Sequence, residues 1–364
     1  MKITIITAAL SGLALCLFIP MKSSALTAVG FGPALGLTQP GDVADQIRKL
    51  ADPDPVERAR AACEIGWLAN KRRDKSTEAA IPALINLLAD GAEIDPICCG
   101  EDKDRHDWQC LGNKGEKTSP GRQAAMALGS IGAASVDPLK AVAGSRDWRI
   151  RSNVAFAFGL IPDDRVITLL LTAIVDSDWR VREQAAWSLG LRGDERAVKP
   201  LCAALLDDEW RVREQAAWAL GLKGDDRSVE PLCSALMDKE PKVQAQAAWA
   251  LGLKGDERAV GPLVRALHAS NENLRSQAAW ALGLKGDDSA TEPLAAALKD
   301  SSSEVRSQAA WALGLKGDHR AAEALTRAMK DHDAKVRKQA TWALGMILMR
   351  DPKTADVKLN IVVK

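Results

Sequence analysis

The chain has 364 residues, 47% of them hydrophobic, enough for a packed core and too many for disorder throughout. Its 49 Lys and Arg nearly cancel its 48 Asp and Glu, which removes a bulk electrostatic pull toward nucleic acid or an acidic membrane. The aromatic set is lopsided, with 11 Trp and 4 Phe against no Tyr, so a few positions demand Trp again and again.

At the start, Lys2, an uncharged run over residues 3–19, Pro20 and the small-residue stretch Ser23-Ser24-Ala25-Leu26-Thr27-Ala28 read as a secretory signal peptide over residues 1–28. The mature chain is then expected to begin near Leu26 or Val29 and to be exported, periplasmic or extracellular. An uncleaved membrane anchor is the alternative for a run of this length. Residues 29–41 read as a linker, 42–349 as a helical array and 350–364 as a C-terminal tail in which Val357-Lys-Leu-Asn-Ile-Val-Val363 alternates partly like a strand.

Within the array, residues 91–119 interrupt the helical pattern with a long Gly-, Lys- and Ser-containing loop carrying Cys98, Cys99, His106 and Cys110. That spacing contains no Cys-x-x-Cys pair, and export implies oxidation, so disulfides are expected in place of a metal. Cys63, Cys98, Cys99 and Cys110 are the candidates for two bridges. Cys202 and Cys233 fall one repeat apart, and stacked helices lie about 8–10 Å from each other, beyond ordinary disulfide reach. Both are expected as buried thiols.

From residue 163 onward the sequence repeats every 31 residues: Trp at 187, 218, 249, 280, 311 and 342, Gln at 184, 215, 246, 277, 308 and 339, and Gly at 190, 221, 252, 283, 314 and 345. A period of this size means stacked units that bury their faces only against neighbours. One unit splits into two helices rich in Ala, Leu, Arg and Gln, with Asp194 placed to cap the first and Gly224 to end the second. Degenerate copies lie upstream at 149–159, with Phe156 in the Trp column, at 123–129, and at 58–66, with Cys63 in that column. Nine hairpins are expected over residues 42–349. The motif Val-Arg-x-x-Ala-Ala-x-Ala-Leu-Gly-x-x-Gly-Asp-x-Arg-Ala-Val-x-Pro-Leu resembles HEAT-type repeats of the phycobilisome-lyase-like class. The resemblance implies an all-α solenoid in which one helix of each pair lines a concave surface.

On the second helix of a unit, Val181, Ala185 and Leu189 form one stripe at helical spacing and read as core. Gln184, Trp187 and Leu191 share a different stripe. With their equivalents they give a candidate ligand face: Trp187, Trp218, Trp249, Trp280 and Trp311 beside Gln184, Gln215 and Gln246. The competing reading packs each Trp into the seam between repeats. A second ladder, Trp148, Trp179 and Trp210, precedes three of these helices and stops at Pro241, Glu272 and Ser303. Trp179 and Trp210 therefore join the candidate site, since exposed Trp flanked by Arg is a hot-spot composition. The Arg column (151, 182, 213, 275, 306, 337) and Asp column (194, 225, 256, 287, 318) read as structural, Asp capping helices and Arg reaching turn carboxylates and carbonyls of the next unit.

Catalysis finds no footing. His106, His268, His319 and His332 share no repeat column and none precedes a Glu, whereas the di-iron hydroxylases built on HEAT repeats use His-Glu pairs. No phosphate loop, nucleophile elbow or zinc-protease motif occurs. The expectation is an exported scaffold without cofactor, binding a protein partner on its Trp/Gln face. Its alternatives are a glycan- or wall-binding module using the Trp ladder and, more weakly, a lyase or bilin-handling protein; a membrane partner enters only if the N-terminal segment stays uncleaved.

Overall fold

The computed structural model describes residues 43–72, 75–96 and 117–350. The signal peptide and linker expected over 1–41, the tail from 351, and Cys98, Cys99 and Cys110 lie outside the described residues. The fold is an all-α solenoid, and it divides into two compact units, residues 1–142 and 143–364.

The first unit holds α1 (Val43–Lys49), α2 (Pro55–Arg72), a 3₁₀ turn (Lys75–Ala80), α3 (Ile81–Leu87), α4 (Pro120–Ile131) and α5 (Val136–Val142). Ile65, Leu68, Leu84, Leu128 and Leu139 are fully buried between them. Helices α2 and α4 approach so closely that a Cβ on Gly66 would stand 3.1 Å from the Ala127 Cα. Pro120 opens α4, where its missing N–H costs nothing, and the Ser119 hydroxyl accepts from the Arg122 N–H at 3.2 Å. The ends of the long loop are pinned together. Ile94 and Thr118 exchange two backbone hydrogen bonds of 3.0 Å, and Lys117 pairs with Asp95 at 2.6 Å.

The second unit runs α6 (Trp148–Leu160), α7 (Arg165–Ala173), α8 (Trp179–Arg192), α9 (Glu195–Ala204), α10 (Trp210–Lys223), α11 (Val229–Ala235), α12 (Pro241–Lys254), α13 (Val260–Ala266), α14 (Glu272–Lys285), α15 (Thr291–Ala297), α16 (Ser303–Lys316), α17 (Ala322–Ala328) and α18 (Ala334–Arg350). Short and long helices alternate, and nine short–long pairs follow in chain order among the described residues, as the repeat pattern predicts. From α8 to α18, each long helix packs on the short helix before it and on the long helices of the neighbouring repeats. The expected core stripe is confirmed, with Val181, Ala185 and Leu189 at most 1% exposed. Burying each such Leu or Val is worth roughly 1.5–3 kcal/mol.

Punctuation follows the sequence. Asp194, Asp225, Asp256, Asp287 and Asp318 each accept a hydrogen bond from the backbone N–H two residues on. Gly317, which ends α16 at φ +71°, sits in the left-handed region that a Cβ disfavours.

Candidate functional site

Each Trp of the main column lies across the glycine of the preceding repeat. A Cβ on Gly190 would stand 2.5 Å from Trp218 Cζ3, and one on Gly314 would stand 2.6 Å from Trp342 Cζ3; Gly159, Gly221, Gly252 and Gly283 meet the next Trp in the same way. The Gly column therefore exists to seat the Trp column. That relation was visible in the shared period, but which glycine serves which indole is decided only by stacking. At the start of the run Trp187 stacks on Phe156, with ring centroids 5.1 Å apart and planes at 22°.

The seam does not consume the indoles completely. Trp187, Trp218, Trp249 and Trp311 remain half-buried, as do Gln184, Gln215 and Gln246. Leu222 on the same stripe is 37% exposed. Trp280 is the exception at 8% exposed and presents little surface to any ligand.

Along the N-terminal ends of the long helices, the second Trp ladder alternates with cations. Arg180 stands 4.4 Å from the centroid of the Trp148 ring and 4.6 Å from that of Trp179; Arg211 stands 5.2 Å from Trp179 and 4.5 Å from Trp210; Lys242 closes the series 4.9 Å from Trp210. Trp179 and Trp210 thus each contact two cations from successive repeats. The guanidiniums are held in turn by the acids that precede each helix, Arg180 by Asp178 at 3.5 Å and Arg211 by Glu209 at 3.0 Å. One turn further along α10, burial pushes the Glu214 carboxyl up against the opposing pull of Lys242.

The Arg column behaves as the sequence suggests. Arg213 donates from Nε and Nη2 to Asp238 at 2.6 and 2.8 Å and from Nη1 to the Asp207 and Asp208 carbonyls. Arg151–Asp176, Arg182–Asp207, Arg275–Asp300 and Arg306–Asp331 repeat the clamp. This second Asp column is not singled out by the sequence reading, although it shares the period. Its one gap, Ala269, matches the one gap in the Arg column, Gln244, whose amide instead donates to the Asp238 carbonyl at 2.6 Å. The capping Asp column is also bound, Asp194, Asp225, Asp256 and Asp318 each pairing with the Arg two residues on. The repeated charges are joints and caps, with no free carboxylate pair among them.

Cys202 and Cys233 are free thiols and half-buried, less covered than the buried thiols expected, because each flanks the buried stripe of its short helix. Burial still pushes the Cys233 thiol up to about 11.

Stacked helical hairpins with repeated inter-repeat joints define the α-solenoid class. The chain belongs to the HEAT-repeat family, whose model matches residues 136–221, 171–242, 229–304 and 291–357, more than half of its length. Among solved structures it is similar to the Escherichia coli protein YibA at TM-score 0.54 and 20% identity, over 73% of this chain and 91% of that one. It is also similar to importin-β at 0.61 and 15%, over 88% and 49%, and to yeast importin-β (Kap95p) at 0.59 and 17%, over 87% and 48%. The chain thus spans about half the length of the importins. No curated protein matches it.

Proposed function

We propose that this chain is an exported protein-interaction scaffold, without catalysis of its own, that holds a partner protein on the long-helix face carrying Trp187, Gln215, Trp218, Leu222, Gln246 and Trp249. The partly exposed indoles of three successive repeats, Trp187, Trp218 and Trp249, beside amides and leucines carry this reading, because such a face supplies apolar area together with hydrogen-bonding rungs for an extended or helical segment. The long-helix face is proposed as the concave one, and the subclass as the phycobilisome-lyase-like branch of the family. The committed state of the repeated Arg and Asp side chains supports a binding role over a lyase or bilin-handling one.

Glycan binding is the second reading, and it needs free ring faces for sugars to stack on. In the ladder, Trp179 and Trp210 each already have two cations against them, which favours a protein partner. Export rests on the segment 1–28. Oxidation of Cys63 with one of Cys98, Cys99 or Cys110 belongs to the same proposal; of the described cysteines, Cys202 and Cys233 are free and Cys63 is not.

The test introduces a photo-crosslinking residue at Gln215 of the exported protein. One defined protein is expected to be captured, and Leu222→Glu should abolish capture with an unchanged melting temperature. Binding confined to a glycan array, or capture indifferent to Leu222→Glu, would replace this reading. N-terminal sequencing of the exported material should begin at Leu26 or Val29.

A further inference from the structure

Helix α18 reproduces an interior seam with no described residue on the other side. Gly190, Gly221, Gly252, Gly283 and Gly314 are each covered by the Trp of the following repeat, whereas a Cβ on Gly345, their equivalent, meets nothing within 4 Å among the described residues. Arg337 continues the Arg column and donates from Nη1 to the Asp331 and His332 carbonyls at 2.8 Å, as the interior members do. It is exposed, and no described carboxylate meets its remaining N–H groups; the position 25 residues on, which holds Asp in the interior clamps, is Val362. Trp342, 38% exposed, and Met349, 82% exposed, flank the open glycine. The face is therefore basic at Arg337 and Lys338 and apolar from Trp342 onward.

We infer that this end of α18 is a docking socket for a helix of a partner protein that supplies an aromatic ring to Gly345 and a carboxylate to Arg337. The interior seams give the template. Trp218 covers Gly190 while Asp207, eleven residues earlier in the chain, takes Arg182, so the fitting segment carries an acid ahead of a helix that bears the aromatic residue. Charge complementarity selects this occupant. A second copy meeting the socket with its own α18 brings no acid, since that helix contains none. Residues 351–364 contain no aromatic residue, and their three Lys outnumber two Asp. This surface lies at α18, beyond the Trp187–Trp249 stretch, and the inference does not rest on the function proposed for that stretch.

The probe is a labelled synthetic peptide of residues 205–224, which carries Asp207 and Trp218, titrated against the full chain by fluorescence anisotropy. Saturable binding is expected. It should weaken at least tenfold with Arg337→Glu, with Gly345→Leu, and with Trp218→Ala in the peptide. Gly345→Leu should not lower the melting temperature, because no described atom packs on that position, and it keeps the test decisive if Arg337→Glu, which loses the bonds to the Asp331 and His332 carbonyls, does lower it. To guard against a peptide too short to fold alone, the same sequence is also fused behind Lys364 through a flexible linker, which raises its effective concentration to about millimolar. Slowed hydrogen exchange in α18 of the fusion is expected, and Gly345→Leu should abolish it. Absence of both signals, or binding indifferent to the variants, overturns the inference. So does a dimer that Gly345→Leu converts to monomer, which assigns the socket to a second copy, or a tenfold gain in peptide affinity on truncation after Arg350, which assigns it to residues 351–364.

Discussion

Two stretches of the second unit use the same Arg–Asp clamp but different chemistry along their helix entrances. From Trp148 to Lys242 the entrances are joined by alternating indoles and cations. From Glu272 onward the same positions hold Glu, Ser and Ala, and the joints become a Ser302 hydroxyl donating to Glu272 at 2.6 Å and an ion pair between Lys335 and Glu304. The clamp persists because it satisfies turn carbonyls that have no other donor, and its side chains are largely removed from water; Arg213 and Asp238 are 6% and 10% exposed. The entrances lie nearer solvent, where several chemistries serve equally, so their composition is free to specialise. The boundary between the stretches coincides with the missing rung at Gln244 and Ala269.

The sharpest way to break the comparison is to remove a clamp. Arg213→Ala leaves the Asp238 carboxylate buried without its partner and should cost about 3–5 kcal/mol in denaturant unfolding. The same clamp sets an acid limb. The Arg306 hydrogen bonds hold the Asp331 carboxyl below the ordinary value of 3.8. Burial pushes Asp238 up, but the bonds from Arg213 and the Glu240 N–H outweigh it and leave it depressed as well. Carboxyls depressed by folding stabilise the native state above their unfolded value and lose that contribution as pH falls through the folded one. Stability should therefore drop as pH falls below 3.8, and Arg213→Ala should flatten that limb in pH-dependent unfolding.

A smaller effect is expected at the glycines. Gly190→Ala forces a Cβ against Trp218 and should cost about 1–3 kcal/mol. Gly345→Ala, with no described atom within 4 Å of the added Cβ, should gain up to about 1 kcal/mol from helix propensity alone. Opposite signs in thermal unfolding would establish that the Gly column is a seat for Trp.

The smallest effect belongs to the entrances. Replacing Arg180 with Met keeps the stem but removes the charge from between Trp148 and Trp179, and should cost about 0.5–2 kcal/mol. Glu304→Gln breaks the Lys335 pair at a partly exposed site and should cost at most about 1 kcal/mol. Equal costs, measured by denaturant unfolding, would erase the distinction between the two stretches.

The sequence by itself determined the helical period, the core stripe of Val181, Ala185 and Leu189, the caps at Asp194 and its equivalents, and the structural reading of the Arg column. All of these follow from local hydrogen bonding and from a pattern that recurs every 31 residues. Tertiary structure alone decided how far each identical-looking Trp is buried, from 8% exposure at Trp280 to 38% at Trp342. It also decided that cations stack between the ladder indoles and that Arg182 finds Asp207 in place of the nearer capping acids. Those outcomes depend on what the adjacent hairpin brings across the seam, and a period fixes the spacing of residues along the chain without fixing which of them meet.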